Sequence, residues 1–176
     1  MSVPILETPR LRLRGSVAED FPSVRDIWAD ERVTRFIGGK PQAEEVTWTK
    51  FLRKIGHWEL LGFGYWTVEH RDSGAVIGEV GFGEFKREFE PSIKGEPEMG
   101  WVIAPEFHGK GVAAEACKAA LDWGDAHFKQ ARMSCIMEPA NAPSVKLAEK
   151  LGFSTTLTTT YHGTEILVMH RDIIKA

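Results

Sequence analysis

The residues best able to do chemistry begin with His108-Gly109-Lys110-Gly111-Val112-Ala113, which follows the apolar run Trp101-Val102-Ile103 and precedes an alanine-rich helical pattern. Gly109 and Gly111 lack Cβ atoms, so the backbone can turn tightly there and let a bulky anion approach its N–H groups. The helix that starts near Gly111 adds unpaired N–H donors and a partial positive charge of roughly half an electron unit. Strand, glycine loop and helix start together make a seat for a pyrophosphate. It is not a Walker A loop, because the second glycine is misplaced and no Lys-Ser/Thr pair follows for magnesium; nor does it carry the third glycine of a dinucleotide fingerprint. A Gly-x-Gly tripeptide before a helix is also plain loop punctuation, so its surroundings must decide.

The loop resembles motif A of the GCN5-related N-acetyltransferase (GNAT) superfamily, where a Gln/Arg-x-x-Gly-x-Gly/Ala loop after the fourth strand binds the pyrophosphate of acetyl-coenzyme A. His108 stands in place of Gln or Arg, which leaves the loop backbone intact and bears only on a side-chain contact. Asn141-Ala142-Pro143-Ser144, followed by Leu147, Lys150, Leu151, Gly152 and Phe153, is similar to the Asn-x-x-Ser…Leu-Gly-Phe segment of the RimJ/RimL-like ribosomal-protein N-terminal acetyltransferase branch. The resemblance covers nearly the whole chain. It implies an acetyl-CoA-dependent N-acetyltransferase, without a metal, that passes the acetyl group to a primary amine by direct attack in a ternary complex. The acceptor would be a protein N-terminal α-amine or a small-molecule amine. The implied cofactor-binding residues are Trp101, Val102, Ile103, His108, Gly109, Lys110, Gly111, Val112, Ala113, Asn141 and Ser144.

Acetyl transfer needs an anchored thioester, a neutral amine, a donor for the carbonyl oxygen as it gains charge, and a proton for the departing thiolate. The extended, amide-rich pantetheine arm can pair like an added strand with the backbone of residues 101–103. In the family a backbone N–H of this strand polarises the acetyl carbonyl. Asn141 can hold the pantetheine, although its tetrapeptide is also a turn and cap composition. Ser144 is placed by its motif to protonate the thiolate, which resembles that of cysteine with a pKa of about 8.5, so modest hydrogen bonding suffices. Capping the next helix is its other reading.

Glu98, opening the strand, and Glu79, on the preceding strand, are the candidate general bases acting through water, unless each is solvated surface. His70 and His108 also have suitable intrinsic pKa values. A lysine-type amine of pKa about 10.4 is neutral about once in 2,500 molecules at pH 7, a cost of about 4.6 kcal/mol, whereas an α-amine of pKa about 7.8 costs roughly 1 kcal/mol. An α-amine acceptor therefore makes do with a weak, water-relayed base.

These residues need a scaffold, and the pattern of the chain supplies one. Thr8 to Arg14 alternates as a half-buried strand, and Ser16-Val17-Ala18-Glu19 has capping-box spacing ahead of a helix with Phe21, Val24, Ile27 and Trp28 on its apolar face. Glu31 to Ile37 is a short helical turn ended by Gly38-Gly39. A second helix runs from about Ala43 to Trp58, with Trp48, Leu52 and Ile55 at helical spacing. Phe63–Glu69 and Ala75–Phe85 form a hairpin, whose second strand is weakened by Gly78, Gly81 and Gly83 unless something packs close to its backbone. A charged loop over 86–97 leads to the strand at 98–103. The helix after the glycine loop opposes Glu115, Lys118, Asp122, Asp125 and Lys129 to Ala113, Ala116, Ala119, Ala120 and Trp123, a small face that can lie close to a sheet. Arg132–Met137 is the fifth strand, Ser144–Lys150 a helix, and Ser154–Tyr161 with Glu165–His170 a terminal hairpin. The order β-α-α-β-β-β-α-β-α-β-β matches a mixed α+β GNAT fold. Its central twisted mixed sheet of about seven strands is, by the resemblance, splayed between strands 4 and 5.

With 176 residues, 43% hydrophobic and 27% charged, the expectation is one globular domain over 1–176. A net charge of −3 argues against a nucleic-acid or anionic-membrane binder. No apolar run approaches the roughly 20 residues of a membrane span, and Met1-Ser2-Val3-Pro4 begins no secretory signal, so a cytoplasmic protein is expected. Cys117 and Cys135 lack a metal or redox spacing and are expected to be buried apolar residues. Glu79, Glu84, Glu88, Glu90, Glu96 and Glu98 against Lys86, Arg87 and Lys94 make either an acidic mouth for a cationic acceptor or a solvated loop. Trp58, Leu60, Leu61 and Phe63 could serve a homodimer interface or the core. The alternatives to an enzyme are a non-catalytic acyl-CoA-binding or sensing module, which the retention of Asn141 and Ser144 disfavours, and a nucleotide-phosphate binder using the glycine loop alone.

Overall fold

The structure, a computed structural model, describes residues 2–174. Its strands are β1 (Leu6–Glu7), β2 (Leu11–Arg14), β3 (Tyr65–His70), β4 (Val76–Gly83), β5 (Glu98–Ile103), β6 (Arg132–Met137), β7 (Ser154–Tyr161) and β8 (Thr164–Asp172). The helices are α1 (Phe21–Ala29), α2 (Glu31–Thr34), α3 (Glu44–Leu61), α4 (Val112–His127) and α5 (Ala142–Lys150). The strands form one mixed, open sheet in the order β1-β2-β3-β4-β5-β6-β8-β7. Eight strands replace the expected seven because a two-residue strand, Leu6–Glu7, precedes the stretch expected as the first, whose strand begins at Leu11. Thr8 turns the chain, its Oγ1 accepting the Leu11 N–H at 2.9 Å, and Leu6–Glu7 folds back to pair with Leu13 and Arg12.

Among the described residues only β5 and β6 run parallel, and they meet at one register pair, Glu98 with Ser134. The Ser134 N–H donates to Pro97 O at 3.0 Å, and beyond this point the two strands part. The implied splay is therefore present, between the strands counted fourth and fifth in the sequence. On its other edge β5 stays paired with β4 along its whole length, with Gly78 of β4 so close to the Val102 carbonyl that a Cβ would not fit.

Alternation along β5 sets the layers. Met99 and Ile103 join the main core with Val112, Ala116, Cys117, Ala120 and Leu121 of α4. Val102 points the other way, into a second core with Val24, Ile27 and Trp28 of α1 and Phe51 of α3. The sheet thus separates α4 from α1 and from the Phe51 stretch of α3, while the C-terminal end of α3 reaches the main core through Trp58, whose ring lies 5.5 Å from that of Trp123 on α4. Cys117 and Cys135 are buried as expected, and burial pushes both thiols up.

Several local expectations are corrected. The cap before α1 does not use Ser16 and Glu19: the Asp20 carboxylate accepts the Val17 N–H at 2.9 Å, and Ser16 Oγ pairs with Thr67 Oγ1. In α3 the buried residues are Thr47, Phe51, Lys54 and Trp58, while Trp48, Leu52 and Ile55 are 42%, 48% and 43% exposed. Trp48 stays outside because its ring covers Phe21 edge-on at 4.7 Å. α5 starts at Ala142, with Asn141 as its cap, so Ser144 sits inside the first turn. Trp58 belongs to the core and Phe63 packs on Phe128 at 5.2 Å, whereas Leu60 and Leu61 are exposed. Among the described residues no helix is long and apolar enough to cross a membrane.

Candidate active site

The glycine loop leaves β5 through a single turn of tight helix, Pro105–Phe107, and enters α4. Gly109 and Gly111 have φ of +71° and +73°, the left-handed region that L side chains rarely adopt. At Gly109 nothing lies within 4 Å of where a Cβ would be. The first N–H of α4 to reach a carbonyl is that of Glu115, on Gly111 O at 3.1 Å, which leaves the N–H groups of Val112, Ala113 and Ala114 without an intrahelical partner. The Val112 side chain itself is core. An anion could therefore be held by backbone alone.

Two side chains brace this loop. His108 Nε2 lies 2.7 Å from Ile103 O, which makes that nitrogen the donor and commits the ring to the end of β5. Arg10 donates from Nη1 to Lys110 O at 2.8 Å and from Nε to Glu115 Oε2 at 2.6 Å. Burial alone would raise the Glu115 carboxyl, but Thr8 and Arg10 hold it below its ordinary value.

Behind the loop, a cleft of about 410 Å³ opens where β5 and β6 separate. Trp101 and Val102 line it from β5, and Glu138, Asn141 and Ser144 line it from the far side. Asn141 Oδ1 accepts the Ser144 N–H at 3.4 Å, a long capping bond. The Ser144 side chain has no hydrogen bond among the described residues. Ile103 and residues 108–113 lie beyond the cleft lining, at the loop end.

The opposite wall is built from side chains. Glu79 and Glu98 are 6% and 5% exposed, so neither is solvated surface, and each is held by a cation. Glu79 accepts from Trp28 Nε1 at 3.1 Å and from Lys54. Glu98 accepts Arg87 Nε at 2.5 Å and Nη2 at 2.6 Å, while burial pushes its carboxyl up against the pull of that guanidinium. Tyr65 lays its hydroxyl over Gly100, a position that only a residue without Cβ leaves free. Burial, with Glu98 and Glu79 nearby, pushes the phenol up, so it remains a protonated donor.

The acidic mouth is not formed. Glu79, Glu84, Glu96 and Glu98 pair with Lys54, Lys86, Arg132 and Arg87. His70 sits at the β3–β4 turn on Ser73, outside the cleft lining. The imidazoles lining the cleft are instead His57, held below its ordinary value by burial and by Arg53, and His162. Sequence reasoning missed Tyr65, Lys50, Arg53, His57, Phe85 and Arg87. The signal for the α3 members was there: Lys50, Arg53, Lys54 and His57 follow i, i+3, i+4, i+7 spacing on one helix face. Among the described residues no cluster of His, Cys, Asp and Glu could hold a metal ion.

A strand pair opening after one rung, a left-handed glycine loop and a capped helix across the gap are the arrangement that the resemblance to the GNAT superfamily implies. The family model described as "Acetyltransferase (GNAT) domain" matches residues 10–154, and the chain belongs to that family of acetyltransferases. Among its relatives is the N-acetyltransferase p20 of Bacillus licheniformis, 29% identical over 149 residues that cover 84% of this chain and 81% of that protein. A GnaT-family acetyltransferase from Bordetella pertussis superposes with a TM-score of 0.84 at 29% identity, covering 96% of this chain and 99% of the other. RimL, the ribosomal L7/L12 α-N-protein acetyltransferase, solved with coenzyme A, shares the fold with a TM-score of 0.76 at 15% identity over 97% of this chain and 98% of its own.

Proposed function

We propose that this chain transfers an acetyl group from acetyl-CoA to a primary amine by direct attack, with both substrates bound together. The observation that carries this reading is the opening of β5 from β6 directly between the glycine loop and the Asn141–Ser144 turn. The N–H groups at the start of α4 take the pyrophosphate, and the unpaired edge of residues 101–103 takes the pantetheine. Asn141 holds the same arm, and a β5 N–H polarises the thioester carbonyl.

Ser144 gives its proton to the departing thiolate, its hydroxyl being free of other bonds. Glu98, both of whose oxygens Arg87 holds much as Trp28 and Lys54 hold those of Glu79, takes the amine proton through water, since burial raises it toward the working range of a base. Glu79, with both oxygens engaged by Trp28 and Lys54, braces α1 and α3 against the sheet.

Thiol release from acetyl-CoA, followed with purified protein and a panel of α-amine peptides, free amino acids, polyamines and aminoglycosides, tests the reaction. Release with one class, and the acetylated amine by mass, is the expected result. Tight acetyl-CoA binding with no release from any amine would instead favour a sensing module. Ser144→Ala should lower kcat about 100-fold and leave acetyl-CoA affinity nearly unchanged; lost affinity with normal turnover of the bound complex would exclude the proton-donor role.

A further inference from the structure

The cations of the acceptor wall do not balance. Lys50, Arg53, Lys54 and Arg87 line the cleft with Glu79, Glu98 and Glu138. Lys54 and Arg87 are consumed by Glu79 and Glu98. Lys50 and Arg53 have no ion pair among the described residues and rest on aromatic faces, Lys50 Nζ 4.1 Å from the Trp28 ring centre and the Arg53 guanidinium 4.9 Å from that of Phe85. The Trp28 indole is thereby used twice, its N–H holding Glu79 and its face holding Lys50. The Arg87 guanidinium lies 5.0 Å from the same Phe85 ring, so that wall is a run of cations and aromatics whose acids, Glu79 and Glu98, are both paired; Glu138, with no ion pair among the described residues, lines the cleft from the far side.

Resting on the reading of the site as an amine acetylation centre, we propose that Lys50 and Arg53 seat an oxyanion carried by the acceptor, so that the substrate is a small acidic amine. A partly desolvated ammonium beside a guanidinium is held at a cost that a carboxylate or phosphate between them would remove. The position of Lys50 agrees: burial, Arg53 and Arg87 lower its ammonium to about 8, against the upward pull of Glu79. These cations do not serve the phosphates of the cofactor. The stretch of α3 that bears them packs through Phe51 on the face of the sheet that carries Val102 and α1, and the glycine loop opens into α4 on the other. A polyamine would meet two like charges where it needs acids.

The test compares amines with and without the oxyanion, with kcat/KM expressed per neutral amine because the anion also raises the ammonium pKa: a free α-amino acid with its carboxamide, and O-phosphoethanolamine with ethanolamine, with spermidine as the cationic arm. The expected result is a kcat/KM at least about tenfold higher for the acidic member of one pair, and the pair that responds tells carboxylate from phosphate. Lys50→Met with Arg53→Met should reduce kcat/KM for that member about tenfold or more and leave its neutral counterpart within about twofold, with calorimetric acetyl-CoA affinity unchanged. Neither residue orphans an ion-pair partner when truncated, so the double variant folds. A preference for spermidine or for the neutral members, equal loss on both members, or lost acetyl-CoA affinity overturns the proposal. Should no amine release thiol, the underlying reading of the reaction fails instead. Calorimetric titration of the enzyme–CoA complex with O-phosphoethanolamine and with the amino acid then decides the oxyanion seat: binding lost in the double variant supports it, and no binding of either overturns it.

Discussion

The two ends of the cleft are made of different material. At the loop end the anion seat is backbone: two left-handed glycines, the unpaired N–H groups at the head of α4, and a strand edge freed by the parting of β5 and β6. At the acceptor end the wall is side chain: Lys50, Arg53, Lys54 and His57 from α3, Phe85 and Arg87 from the β4–β5 loop, Tyr161 from the end of β7 and His162 from the β7–β8 turn. A backbone seat depends on dihedral angles and is indifferent to most neighbouring side chains. A side-chain wall depends on charges that must be matched one by one. The first suits a substrate shared by a family; the second suits one that differs between members.

The sharpest way to break this contrast is to put a side chain where the backbone must work. Gly111→Trp forces a residue with φ near +73° to carry a bulky group over the seat, with Arg10 Nη2 already 3.6 Å from the Cβ position. The left-handed conformation alone costs about 1–3 kcal/mol, and the indole fills the space the phosphates need. Calorimetric acetyl-CoA affinity should fall at least about 100-fold. Unchanged affinity would remove the loop from the cofactor site.

A second comparison concerns what truncating a lysine does at each end. Lys54→Met leaves the Glu79 carboxylate buried with only the Trp28 N–H, and breaking such a pair costs about 3–5 kcal/mol. Lys110→Met, at an exposed loop position, should stay within about 0.5 kcal/mol. Urea unfolding measures both, and replacing Glu79 with Leu in the Lys54→Met background should recover much of the loss. If the two single variants matched in stability, the acceptor wall would not be the matched-charge structure described.

The same division explains what could be read from the chain alone. Gly109, Gly111 and the Asn141 turn announce themselves because backbone requirements select particular residue types at fixed spacing. The small face of α4 is legible for a similar reason, since Ala116 and Ala120 let the helix lie against β4 and β5. The acceptor wall is not legible in this way. On α3, Trp48, Leu52 and Ile55 offer a more apolar stripe than the face that turns inward, and hydrophobic periodicity selects them. Beside the buried Thr47, Phe51 and Trp58, the cleft-lining side of α3 carries half-buried Lys50 and His57, exposed Arg53 and buried Lys54, which Glu79 meets from β4. Likewise the clamp of Arg10 on Glu115 joins residues 105 apart in sequence, beyond any local pattern.

The smallest expected effect is the most specific, because it isolates one charge at the acceptor end. Lys50 is lowered to about 8 by burial, Arg53 and Arg87, with Glu79 opposing, and it lies on the Trp28 ring. A lowered ammonium is charged below that value and neutral above it, so its hold on an oxyanion is present at pH 7 and lost as the pH rises through about 8. Arg53 keeps its charge throughout. In Lys50→Arg the charge at this position no longer titrates. The ratio of kcat/KM for the acidic acceptor, wild type over Lys50→Arg, should therefore fall up to about tenfold between pH 7 and pH 9, as the charged fraction of Lys50 drops from about nine-tenths to about one-tenth. Ionisation of the amine, of Glu98 and of the thiol is common to both proteins and cancels in the ratio. The neutral counterpart should give a flat ratio over the same range. A flat ratio for the acidic acceptor as well would mean that Lys50 does not hold the oxyanion, and the seat would reduce to Arg53.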